Sequence, residues 1–258
     1  MIQVEFAQRA VKILEQEVDV LGLAVGGSWL SRELDAFSDL DLIVVTASST
    51  THDPTLMLAY ADKLGALLSG FTGEHVGEPR LLICLYDAPL LHVDLKFLTP
   101  DEFHTRVETP TLLLDKTGEL RKILQKSESR FPYPDYQWIE DRFWTWVHYA
   151  LLKIGRGEYL EAYDFLAYLR SVVVGPLLHI KNGNLPRGVR KVEMQLANAD
   201  FNQLLSTLPT YEKRALLTSL RNAVTLYRDL RKNLYSDEVK QNNTAERAVM
   251  RYFEETEN

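Results

Sequence analysis

Gly26-Gly27-Ser28, followed after a short loop by Ser38-Asp39-Leu40-Asp41-Leu42, is the stretch on which the fold turns. Apolar Leu21 to Val25 lead into the glycines, and Leu40 to Val45 form a second strand-like run holding the aspartates. Successive side chains of a strand point to opposite faces, so Asp39 and Asp41 project together while Leu40 and Leu42 turn to the core. Two carboxylates on one face repel each other unless a cation sits between them. Hard oxygen ligands of this kind suit a magnesium ion that also holds substrate phosphates. Gly26 and Gly27 let the backbone come close to a phosphate, and Ser28 offers both its amide and its hydroxyl.

Around this stretch the chain reads as two parts. Val4, Ala7, Val11, Leu14 and Val18 recur at helical spacing over residues 3 to 18, which predicts a first amphipathic helix. The two strands follow. Asp53-Pro54 opens a second helix whose apolar side is Leu56, Ala59, Leu64, Leu67 and Leu68. Gly70, Gly73 and Gly77 then mark a loop. Arg80 to Tyr86 and Leu91 to Leu98 predict an antiparallel hairpin across Asp87-Ala88-Pro89. In its second strand, His92, Asp94 and Lys96 share one face and Val93 and Leu95 the other. Leu112 to Leu114 read as a short strand, with Asp115 as a turn-former before a helix from Glu119 to Lys126. The expected first domain, residues 1–130, is therefore α+β, a small mixed sheet with flanking helices.

Phe131-Pro132-Tyr133-Pro134 breaks the chain, and residues 131–258 read as an all-α bundle. Ile139, Phe143, Trp146, Val147, Ala150, Leu151 and Ile154 form one apolar stripe; Arg142, Tyr149, Lys153 and Arg156 line another face of the same helix. Further helices are expected over about 159–173 and 211–235, with one more after Asn242.

The glycine-serine turn with its Asp-x-Asp strand resembles the nucleotidyltransferase superfamily typified by DNA polymerase beta. The Ser28–Asp39 spacing and Phe37-Ser38 look most like antibiotic nucleotidyltransferases that adenylylate aminoglycosides and lincosamides. Members carry a basic residue and a glycine soon after the serine; in Leu30-Ser31-Arg32-Glu33 only Arg32 supplies the charge, and the glycine is absent. The resemblance implies a nucleotidyltransferase fold, ATP as substrate and a pair of metal ions, two Mg2+. It makes Asp94 the third acidic ligand beside Asp39 and Asp41, and Asp94 also the candidate general base. Gly27, Ser28, Arg32 and Lys153 become the nucleotide-binding set. Some relatives draw a glutamate base from the helical domain, a place offered here by Glu140 or Asp141. Many pair as homodimers.

The implied reaction is transfer of AMP from ATP to a hydroxyl of a small acceptor such as an aminoglycoside or a lincosamide. A protein acceptor, as for antitoxin-like relatives, and a non-catalytic nucleotide-binding protein of the same fold are the alternatives. Arg142 and His148 loosely resemble the Arg-x-His signature of helical RNases, but about 100° per residue sets them well apart around their helix. A net charge of -7 argues against gripping a nucleic-acid backbone. The single cysteine, Cys84, permits no internal disulfide and fits a reducing cytoplasm. No long uncharged apolar run predicts a membrane span.

Overall fold

The computed structural model describes residues 1–50 and 53–257. The chain divides into two compact units, Met1–Phe131 and Pro132–Asn258. In the first unit the described elements run α1 (Ile2–Leu14), β1 (Val20–Val25), β2 (Leu40–Thr46), α2 (Pro54–Lys63), β3 (Leu67–Gly73), β4 (Glu78–Tyr86), β5 (Leu91–Leu98), α3 (Pro100–Phe103), β6 (Thr111–Asp115) and α4 (Glu119–Lys126). The strands form one six-stranded mixed sheet in the order β3-β4-β5-β2-β1-β6. Only the β2–β5 pairing is parallel among the described strand pairs.

Alternation along the two central strands assigns the faces. Leu40, Leu42 and Val44 of β2 and Leu91, Val93, Leu95 and Phe97 of β5 enter a core shared with Phe6, Ala10 and Leu14 of α1 and Met57 and Ala61 of α2. On the opposite face, Val45 and Leu98 join Phe103 of α3 and Leu120 and Ile123 of α4. Those helices cover the far ends of β2 and β5. Asp41 and Asp94 lie on that second face, at the near ends of the same strands.

Three sequence readings are corrected. The buried stripe of α1 is Phe6, Ala7, Ala10 and Leu14; Val18 lies beyond the helix and is 92% exposed. The second helix stops at Lys63, so Leu67 and Leu68 leave it for β3. Gly70 and Gly73 belong to that edge strand rather than to a loop. Glycine weakens a strand on propensity alone, yet at Gly70 a Cβ would come within 2.7 Å of Leu58 Cδ2. Close packing of α2 on the strand therefore selects the residue that propensity argues against. The start of α2 is as read: the Asp53 carboxylate accepts from Leu56 N–H, with proline in the first turn.

Asp115 is the turn-former expected of it, accepting from Gly118 N–H at 2.9 Å and Arg121 N–H at 3.0 Å. Cys84 is buried, and burial pushes its thiol up to about 12, which makes it an inert core residue.

In the second unit the described helices are α5 (Tyr136–Gly155), α6 (Tyr159–Leu169), a π-helical turn over Arg170–Val174, α7 (Gly175–Lys181), α8 (Val192–Gln195), α9 (Asn198–Leu205), α10 (Lys213–Leu234) and α11 (Asn243–Glu257). Phe143, Val147 and Leu151 of α5 pack with Leu220, Val224 and Tyr227 of α10 and Phe253 of α11. Among the described residues no helix is long and apolar enough to cross a membrane. The fold class is thus an α+β unit built on a mixed sheet, followed by an all-α unit.

Candidate active site

The sheet register brings two of the sequence-predicted carboxylates together. In the parallel β2–β5 ladder Asp41 is the Cα partner of Asp94, and neighbouring strands run about 4.8 Å apart. Both side chains are half-buried, as is Asp39, one residue ahead of β2. Two like charges on adjacent strands with little cover are unfavourable unless something positive accompanies them.

Asp94 has a partner of its own. His92 Nε2 lies 2.9 Å from Asp94 Oδ1, as alternation on β5 allows. Lys96, next along the same face, is instead held by Glu78 at 2.7 Å. Glu78 also binds Arg80, and these contacts, Arg80 first, hold its carboxyl down at about 2.

The loop that delivers Asp39 is fixed by contacts that spacing does not announce. Asp35 Oδ1 accepts from Phe37 N–H at 2.8 Å and from Ser38 Oγ at 3.0 Å. Buried Gln3 of α1 reaches across and donates to Asp35 O at 2.9 Å and Ser38 O at 2.8 Å. A side chain in the first turn of the first helix thus sets the approach to β2.

At the other lip of the site, Gly26 N–H donates to Asp41 O at 3.0 Å, continuing the β1–β2 ladder. Gly27 then turns with φ +62 into a short 3₁₀ segment, Gly27–Trp29. A Cβ on Gly27 would collide with Asp41 Oδ2, so glycine is required by conformation and by space. Ser28, half-buried, accepts through its carbonyl from Glu33 N–H at 3.1 Å. Arg32 is exposed and itself adopts φ +57. Arg32, the basic residue of this loop, thus bears the strain of the left-handed region.

Sequence reasoning missed Glu108. From the segment between α3 and β6, its Oε1 accepts from Gly27 N–H at 2.7 Å. It also lies 2.6 Å from where a Cβ on Gly26 would be. Nothing in its setting, Val107-Glu108-Thr109, marks it out; only the fold brings it to the turn.

Lys153 and Glu140 belong to the second unit. Lys153 Nζ pairs with Glu158 at 2.8 Å and Glu161 at 3.0 Å, and those hydrogen bonds raise its pKa, Glu158 foremost. Arg142 lies over the Trp138 ring at 4.4 Å, and Arg156 pairs with Glu158 at 2.9 Å. Glu140 is 1% exposed. Its oxygens accept from Trp144 Nε1 (3.2 Å), Tyr227 Oη (2.6 Å), Arg231 Nη1 (3.1 Å) and Asn242 N–H (2.9 Å). That is a saturated core carboxylate, not a general base. Asp141 accepts from Gln137 Nε2 at 2.7 Å on the helix surface.

Among the described residues no group of three or more His, Cys, Asp and Glu side chains is gathered to hold a metal ion. What the register supplies is a pair, Asp41 and Asp94. Magnesium fits a pair, because it is commonly bound by one or two carboxylates together with water and substrate phosphates.

Two solved structures that the chain resembles are those of an adenyltransferase and of a nucleotidyltransferase-like protein. One is the crystal structure of an aminoglycoside 6-adenyltransferase from Bacillus subtilis, 16% identical, covering 98% of each chain at a TM-score of 0.39. Another is a nucleotidyltransferase-like protein from Exiguobacterium sibiricum 255-15, 14% identical, covering 86% of this chain and 74% of that one at 0.37. At scores this low neither likeness bears on the chemistry. No family model and no curated protein matches the sequence.

Proposed function

We propose that this protein is a magnesium-dependent nucleotidyltransferase that moves AMP from ATP to a hydroxyl of a small acceptor, of the kind found on aminoglycosides or lincosamides. The observation that carries this reading is the side-by-side register of Asp41 and Asp94 next to the left-handed Gly27 turn.

Asp41 and Asp94 would hold the metal, which when bound neutralises triphosphate charge and lowers the pKa of a hydroxyl near it; Asp39, the remaining carboxylate that the resemblance implies, is not gathered with them. Ser28, with its amide and hydroxyl, and exposed Arg32 would receive phosphate oxygens. The acceptor oxygen forms a bond to the α-phosphorus as the bond to the bridging oxygen breaks, and pyrophosphate leaves. The hydroxyl proton passes to Asp94, whose Oδ1 is already oriented by His92. Catalysis of this kind is mostly positioning and charge placement.

Incubation with labelled ATP, Mg2+ and a panel of hydroxylated acceptors tests the reading. Acceptor-dependent pyrophosphate release, lost in Asp41→Asn, is expected. No release with any acceptor, and no difference between Asp41→Asn and wild type in nucleotide binding, would remove it.

A further inference from the structure

The Gly27 N–H is already engaged, and by an anion. Glu108 Oε1 sits 2.7 Å from it, and Asp41 Oδ2 crowds the same glycine from the β2 side. Glu108 is not there by the chance sweep of a loose loop. Two residues before it, Arg106 Nη1 donates to Ser127 Oγ at 2.7 Å, and Arg106 Nη2 to Ser127 O. Arg106 O accepts from Arg130 N–H at 2.9 Å, and Thr109 Oγ1 meets Ser129 Oγ at 3.3 Å. The segment is pinned on both sides of Glu108.

A turn whose amide points outward from a left-handed residue is an anion seat. One N–H makes one strong hydrogen bond, so a phosphate oxygen and the Glu108 carboxylate compete for it. Resting on the nucleotidyltransferase reading, we propose that Glu108 is an internal anion occupying the phosphate seat of the glycine turn, and that it makes nucleotide binding conditional on a divalent cation.

A metal-free triphosphate meets Glu108 and Asp41 together and is repelled by both. A triphosphate carrying its cation brings a positive charge to which these carboxylates are attracted, so displacing Glu108 from Gly27 costs little. Glu108 is thereby a specificity-determining residue, selecting cation-bound nucleotide over free nucleotide.

The test is calorimetric titration of the full chain with a non-hydrolysable ATP analogue, once with Mg2+ and once with EDTA, for wild type, Glu108→Gln and Glu108→Ala. Glu108→Gln keeps an oxygen for Gly27 but removes the charge; Glu108→Ala removes both. Both variants are expected to bind the metal-free analogue at least about tenfold more tightly than wild type, with Mg2+-dependent affinity changed by less than about threefold. Unchanged metal-free binding overturns the proposal. So does a loss of about tenfold or more with Mg2+ present, which would make Glu108 a metal ligand instead. Should wild type fail to bind the analogue even with Mg2+, the nucleotidyltransferase reading fails first and this one with it.

Discussion

Asp41 and Asp94 face each other across the one parallel pairing described in the sheet, with His92 held against the second of them. Like charges directly opposite one another on neighbouring strands are destabilising. Replacing one charge relieves the repulsion: Asp94→Asn is expected to raise apo stability by about 0.2–1 kcal/mol. It should abolish transfer at the same time. Thermal melts with and without Mg2+ alongside an acceptor assay check both halves.

His92 Nε2 lies 2.9 Å from Asp94 Oδ1, so on the proposed reading it would act on Asp94 rather than on substrate. His92→Ala should lower kcat by about tenfold or more while leaving nucleotide affinity within about twofold, since it removes orientation of the base and not a phosphate contact. A matched loss in KM alone would show that His92 binds nucleotide.

Gly27→Ala forces a side chain into the left-handed region and against Asp41 Oδ2. The expected cost is about 1–3 kcal/mol by chemical denaturation. Because half of the conflict is with one carboxylate, the cost should shrink in an Asp41→Ala background; strict additivity would mean that only the backbone is strained.

Glu78 is depressed to about 2 by Arg80 first, then Lys96, against the opposing effect of burial. A carboxylate whose folded pKa lies below its unfolded value contributes stability above the unfolded pKa, and loses it as pH falls towards the folded one. The gap in melting temperature between wild type and Glu78→Gln is therefore expected to be full near neutrality and to close between about pH 4.3 and 2. A gap that is constant over that range would detach Glu78 from the acid limb.

Glu140 is wrapped by four donors in the second unit. Glu140→Ala removes one of the two carboxylates that Arg231 pairs with, leaving Glu246 at 2.8 Å, and takes the acceptor from buried Trp144 and Tyr227; it should cost about 3–5 kcal/mol in urea unfolding. The apolar double replacement Glu140→Leu with Arg231→Met should cost less than the single change, since both members of the buried pair are removed together and Glu246 keeps Arg228 as its partner.

The parts of the site that were legible in sequence are those whose cause is local. Alternation puts His92 with Asp94, and Asp53-Pro54 announces a helix start. Three parts were not legible, and each is fixed by something distant in sequence. β3 is an edge strand whose Gly70 lies against Leu58 of α2 and whose Gly73 lies against Glu78 O and Leu81 of β4. Gln3 has no place in the apolar spacing of the first helix, yet it holds the loop before Asp39. Glu108 has no periodicity at all, and its role comes from Arg106 and Ser127 fixing its segment. Glu140 shows the converse. A glutamate on the first bundle helix invites a catalytic role until its partners on α10 are known.

The parallel join of β2 to β5 also orders events in time. Such neighbours cannot be linked by a hairpin, so the polypeptide must cross over, here through α2, β3 and β4, before the second strand docks. A chain emerging from the ribosome has its glycine turn and its first aspartates early, but lacks the opposing carboxylate until β5 is made and seated. On the proposed reading, competence would arrive only at closure of the sheet, and a partly synthesised fragment ending before β5 would be unable to spend nucleotide.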